Sequence, residues 1–207
     1  SVDGDVVGGQ PVAPMPMAAA AFHLSSDEGS EPYVYGRYSN PGWHRLESAL
    51  AQLEGTQSAL VFGSGMAAVT AALRVALKPG SVLVVPADGY YQVRRYARES
   101  LAPLGVTVRE ATAAHLCDAA ETADVVLAET PTNPTLDVVD LRVLAGICHR
   151  NSGLLFVDNT TATPLGQQPL LLGADLVVAS ATKALAGHSD LLGGYVAGAG
   201  GELMAAL

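Results

Sequence analysis

The sequence predicts an α/β fold, a mostly parallel sheet with helices on both faces, from three observations. Stretches with helical spacing alternate with short apolar runs. Those runs are continuous rather than alternating in polarity, so each strand is expected to be covered on both faces. Each run ends in glycine, hydroxyl or ionisable residues, the kind of residues a parallel sheet brings to a ligand at its carboxyl edge.

The elements follow in order. Residues 1–42 are rich in Gly, Pro and small residues and read as an irregular N-terminal arm; residues 43–207 read as one ligand-binding domain. "WHRLESALAQLEG" places Trp43, Leu46, Leu50 and Leu53 at helical spacing and stops at Gly55. "ALVF" is a short buried strand, "MAAVTAALRVAL" a helix ended by Lys78-Pro79-Gly80, and "SVLVVP" a strand. "YQVRRYARESLAPLG" is mostly helix, "VTVRE" a strand, "AAHLCDAAET" a helix and "DVVLAE" a strand. "LRVLAGICHRN" is a helix; "GLLFVDN", "DLVVAS" and "GGYVAG" are strands.

Bulk properties narrow the function. A net charge of −9 argues against nucleic acid or an anionic membrane as the main partner, while leaving room for a small anionic ligand in a local pocket. Cys117 and Cys148 make no disulfide framework and no CxxC pair suggests zinc, so a reducing cytoplasm is the expected location. No Lys or Arg precedes Arg37, and no apolar run approaches the ~20 residues of a membrane span.

The residues that follow the strands carry the chemistry. They are Gly63-Ser64-Gly65-Met66, Asp88-Gly89-Tyr90-Tyr91, Thr130 to Pro134 around Asn133, Asp158-Asn159-Thr160-Thr161, and Ser180-Ala181-Thr182-Lys183. The glycine cluster with Ala68 matches the GxGxxA form of a dinucleotide fingerprint, and Asp88 follows the next strand. That match leaves Lys183, Asp158 and Tyr90 unexplained. A helix N-terminus with glycines suits other phosphate cofactors equally well.

Pyridoxal phosphate accounts for all of them. Its aldehyde needs an amine to condense with, and Lys183 is the better placed of the two lysines; Lys78 reads as a solvated helix end. Its pyridine nitrogen needs a carboxylate, and Asp158 fits. Tyr90 or Tyr91 can stack on the ring. The N–H groups of Gly65 and Met66 and the hydroxyls of Ser180 and Thr182 suit the phosphate. The bland alternatives are a turn role for Asn133, a cap for Asp158, and a loop-bridging role for His188 and Asp190.

"YGRYSNP", "FGSGMAA", "ETPTNP", "FVDNT" and "SATKALAGHSDLLGGY" occur in this order. With them the chain resembles the cysteine/methionine-metabolism family of fold-type I pyridoxal-phosphate enzymes, from about Tyr33 to Gly198. That family includes cystathionine γ-lyase, γ-synthase and β-lyase and methionine γ-lyase; "ADGYYQVRRY" and the stretch from "NTTATPLGQQ" onward look most like its actinobacterial cystathionine γ-lyase branch.

The resemblance implies a role for each matching residue. Lys183 would hold the cofactor and shuttle protons, Asp158 would pair with the pyridine nitrogen, and Asn133 would bond the ring's 3′ oxygen. Tyr90 would stack on the ring, with Tyr91 as the fallback. Gly65, Met66, Ser180 and Thr182 would bind phosphate. Tyr35 and Arg37 would reach the phosphate of a neighbouring subunit, in a homo-oligomer, dimer or tetramer, with shared sites. The implied activity is a carbon–sulfur lyase of transsulfuration acting on a sulfur amino acid. Cystathionine elimination is expected first; γ-replacement or methionine γ-lysis is the alternative, and an NAD-binding domain or a non-catalytic fragment lies further off. Family members are longer, so the end of the cofactor domain and the C-terminal domain are expected to be absent here, with the arginine that would hold the substrate carboxylate. Tyr91-Gln92-Val93 and Ala184 depart from the family pattern and alter the expected pocket wall.

Overall fold

A computed structural model describes residues 15–24 and 31–207. The arm expected over 1–42 therefore lies partly outside the described residues. Its described part is irregular, with an isolated bridge between Ala21 and Tyr35.

Helix α1 spans Pro41–Leu53. It starts two residues before the expected point because Asn40 caps it, accepting the Gly42 N–H, and Pro41 occupies the first turn, where no N–H is needed. Of its apolar stripe only Leu50 reaches the core; Trp43, Leu46 and Leu53 stay exposed. Strand β1 (Ser58–Phe62) leads into α2 (Gly65–Ala76), and β2 (Val82–Pro86) into α3 (Tyr91–Tyr96). The helix expected to run on to Gly105 changes character, passing through a π turn at Ala97–Leu101 and a 3-10 turn at Ala102–Leu104. Pro103 explains the change: it donates no N–H and its ring excludes the carbonyl four residues earlier, so the ordinary ladder cannot continue.

Strand β3 (Thr107–Ala111) is followed by the short α4 (Leu116–Ala120), β4 (Val125–Glu129), α5 (Leu141–Arg150) and β5 (Leu154–Asp158). Two short elements, α6 (Thr163–Gly166) and a 3-10 turn at Pro169–Leu172, precede β6 (Leu176–Ala179). Then come β7 (Gly194–Gly198) and α7 (Glu202–Ala206).

The strands form one sheet in the order β1-β7-β6-β5-β4-β2-β3. Strands β2 to β6 pair in parallel, and β7 runs antiparallel between β6 and β1. Alternate residues of the central strands feed opposite faces. Leu83, Val85, Val125, Leu127 and Phe156 pack on the face covered by α2 and α3. Val84, Val126, Ala128, Leu155 and Val157 pack on the face covered by α4 and α5. This two-sided burial is why the strands read as unbroken apolar runs. Among the described residues no helix is long and apolar enough to cross a membrane.

Candidate functional site

The carboxyl ends of β2, β4, β5 and β6 and the first turn of α2 converge on one cavity of about 260 Å³. Ser64 caps α2, its Oγ accepting the Ala67 N–H at 3.1 Å. The earlier N–H groups of the turn, on Gly65 and Met66, have no acceptor within the helix, and both residues line the cavity. The approach of this turn to the sheet needs glycine twice. A Cβ at Gly65 would lie 2.6 Å from Ser180 Cβ, and one at Gly194 would fall inside contact with the Ser64 carbonyl.

Asp158 ends β5 and reaches the cavity. Its Oδ1 accepts the Thr160 N–H at 3.0 Å, and Thr160 Oγ1 accepts the Ser180 N–H at 2.8 Å, which ties the β5 and β6 ends together. Burial pushes the Asp158 carboxyl above its ordinary value. The next residue, Asn159, is fully buried; its Nδ2 donates to the Gln167 carbonyl at 2.9 Å, and Gln167 Nε2 donates to the Thr130 carbonyl at 3.1 Å. These bonds hold the segment that carries Asp158.

Lys183 lines the same cavity, but not from a buried strand end. β6 stops at Ala179 and Lys183 stands on an exposed turn, its N–H donating to the Ser180 carbonyl at 3.3 Å. Thr182 is nearby, yet its hydroxyl is engaged: it accepts the Gly193 N–H at 3.0 Å and donates to the Gly193 carbonyl at 3.2 Å. Tyr90 and Asn133 face the cavity, and Tyr91 does not line it; the two tyrosine rings meet edge to face, 5.4 Å apart.

Tyr35 and Arg37 do not line the cavity. The Arg37 guanidinium lies 5.1 Å from the Tyr35 ring centroid and 5.6 Å from that of Tyr38. No arginine lines the cavity.

Glu129 escaped the sequence reading. It ends β4, is 6% exposed and lines the cavity. Parallel pairing sets Glu129 opposite Asp158, so two carboxylates end neighbouring strands side by side. The one signal available in the sequence was a second acidic residue closing an apolar strand, as Asp158 does.

The dinucleotide fingerprint fails on topology. Among the described residues β1 lies at the sheet edge and pairs only with the antiparallel β7, far from the central parallel position a dinucleotide crevice needs. Asp88 Oδ2 accepts the Ala113 N–H at 3.0 Å and does not line the cavity. By contrast the amine, the carboxylate and the N–H-rich helix start share one cavity, and they match in kind the aldehyde, pyridine nitrogen and phosphate of pyridoxal phosphate.

Comparison with known proteins points the same way. The chain is 48% identical over 204 residues to a Streptomyces coelicolor protein named "Putative cystathionine gamma-lyase", covering 96% of this chain and 52% of that one. It is 39% identical over 177 residues to the chloroplastic cystathionine gamma-synthase 1 of Arabidopsis thaliana, covering 83% and 31%. The crystal structure of the cystathionine gamma-lyase CalE6 of Micromonospora echinospora superposes with a TM-score of 0.86 at 37% identity, covering 96% of this chain and 53% of that one. Other relatives are named cystathionine beta-lyase and L-methionine gamma-lyase. The chain spans about half the length of the first of these relatives. Because residues 8–207 match the pattern of the Cys/Met metabolism PLP-dependent enzymes, the chain belongs to that family, whose cofactor is pyridoxal 5′-phosphate.

Proposed function

We propose that this chain is the cofactor-binding part of a carbon–sulfur lyase of sulfur-amino-acid metabolism, with L-cystathionine as substrate and cysteine, 2-oxobutanoate and ammonia as products. The observation that carries the reading is the meeting of Lys183 and Asp158 in one cavity with the open N–H groups of α2.

When bound, pyridoxal phosphate supplies an electron sink for charge developing at the substrate α-carbon. Asp158 would hold a proton on the pyridine nitrogen through a buried charge-assisted contact. Tyr90 would pack on the ring, and Asn133 would orient it from its 3′ oxygen. Gly65, Met66 and Ser180 would hold the phosphate; the Thr182 hydroxyl would have to turn its proton away from the Gly193 carbonyl, or share it, to join them. Lys183 Nζ would anchor the cofactor. With its amine free, Nζ would take the α-proton and deliver a proton toward the departing sulfur. Its exposed turn gives it the freedom to swing between these positions.

Elimination is preferred over replacement on the 48% identity to the Streptomyces coelicolor protein. Product analysis of the full-length enzyme tests this. Cystathionine should give 2-oxobutanoate and cysteine. Conversion of an activated homoserine ester and cysteine into cystathionine, with no release of 2-oxobutanoate from cystathionine, would place the protein among the replacement enzymes instead.

A further inference from the structure

Glu129 uses both of its carboxylate oxygens. Oε2 accepts the Tyr90 N–H at 2.6 Å and Oε1 accepts the Asn133 N–H at 2.9 Å. The two donors belong to different loops, one after β2 and one after β4. Gly89 permits the approach, since a Cβ there would lie 2.5 Å from Glu129 Oε2 and 2.7 Å from Pro86 Cγ. We propose that Glu129 is a positioning residue for the cofactor pocket: its buried carboxylate ties the two loop backbones together and sets the gap between the Tyr90 ring and the Asn133 amide. The inference rests on the pyridoxal-phosphate reading of that pocket.

The residue type follows from the donors. Both are N–H groups, so two acceptors are needed. Glutamine offers one acceptor oxygen and would turn an NH2 toward the other N–H donor. Aspartate keeps two acceptors but is one methylene shorter and cannot span the same gap. Both Glu129 oxygens are engaged by backbone N–H groups, so its influence on the ring passes through Tyr90 and Asn133.

The test is made on the holoenzyme, by visible circular dichroism of the bound cofactor and by equilibrium dialysis. Glu129→Gln should weaken cofactor retention severalfold, because the Tyr90 ring and the Asn133 amide lose their fixed gap, and should change the dichroic band of the ring. Gly89→Ala presses on the same contact from the other side and should shift the band in the same way with the carboxylate still present. A merely structural Glu129 would lower the melting temperature and leave the band and the retention as in the wild type; that result, in either folded variant, overturns the proposal. A wild-type protein that takes up no pyridoxal phosphate overturns the pocket reading itself, and this inference with it.

Discussion

Gly65 and Ser180 approach so closely that an added Cβ on the glycine would lie 2.6 Å from Ser180 Cβ and 2.9 Å from its Cα. The first turn of α2 is thereby pressed against the segment that carries Ser180 and Lys183. Gly65→Ala must push the two apart, because the obstructing atoms are backbone and Cβ rather than the end of a flexible chain. The cost of such overpacking is about 1–3 kcal/mol. The variant is expected to melt several degrees lower and to retain little cofactor after dialysis. Normal cofactor content in a folded Gly65→Ala protein would show that the turn does not bind phosphate.

The chain has only two lysines. Lys183 lines the cavity, while Lys78 follows the end of α2 on the way to the turn before β2. Borohydride reduction of the holoenzyme followed by peptide mapping should therefore label Lys183 alone. Label on Lys78, or none, would remove Lys183 from the chemistry.

Asp158 carries a desolvation penalty that a cation at the pyridine nitrogen would offset. Asp158→Ala should then separate binding from turnover. We expect a folded protein that still takes up cofactor and loses orders of magnitude in turnover. Near-normal activity would assign the ring nitrogen to another group.

Glu129 gives the apo protein a pH signature. Burial pushes its carboxyl from 4.5 up to about 7, the negative charges of Asp158 and Asp88 add to the rise, and the N–H donors of Tyr90 and Asn133 oppose it. Between those two values the folded state binds more protons than the unfolded one. Stability therefore falls as pH rises from about 4.5 to about 7 and is level above. Glu54 and Asp158, also raised by burial, act in the same sense, and Lys183 lines the same cavity. Glu129→Gln should flatten the slope of melting temperature against pH in that window. Parallel curves for the two proteins would mean that Glu129 stays ionised throughout it.

Much of this was legible in the sequence because burial on both faces leaves a local trace. The runs at 82–86, 125–129, 154–158 and 176–179 announce strands without reference to their neighbours. The insertion of β7 between β6 and β1 left none, since "GGYVAG" reads the same in either direction of pairing. The short α6 and α7 were missed because four or five residues carry too little periodicity. Lys183, Asp158, Tyr90 and Asn133 follow strands or end them, and so were visible as a set. Glu129 acts on backbone N–H groups 39 positions before it and four after it, and only the assembled sheet brings the first of these within reach.

The cavity lacks an arginine, and a phosphate dianion calls for one. Arg37 is exposed, and among the described residues its guanidinium rests against the tyrosine rings of its own arm, Tyr35 and Tyr38. Stacking of this kind at an exposed site is worth about 0.5–1 kcal/mol, less than a bidentate contact to phosphate, so the side chain is free to be drawn elsewhere. If it serves a second subunit's site, Arg37→Ala and Lys183→Ala are each inactive for different reasons. Arg37→Ala lacks the phosphate cation at every site, and Lys183→Ala lacks the amine. In a mixed dimer one site takes its lysine from the first variant and its arginine from the second. Unfolding and refolding the two variants together should then restore activity to a fraction of the wild-type level. Mass spectrometry of the mixture checks that hybrids form. Hybrids without activity would show that Arg37 acts within its own subunit, and the shared-site arrangement would be wrong.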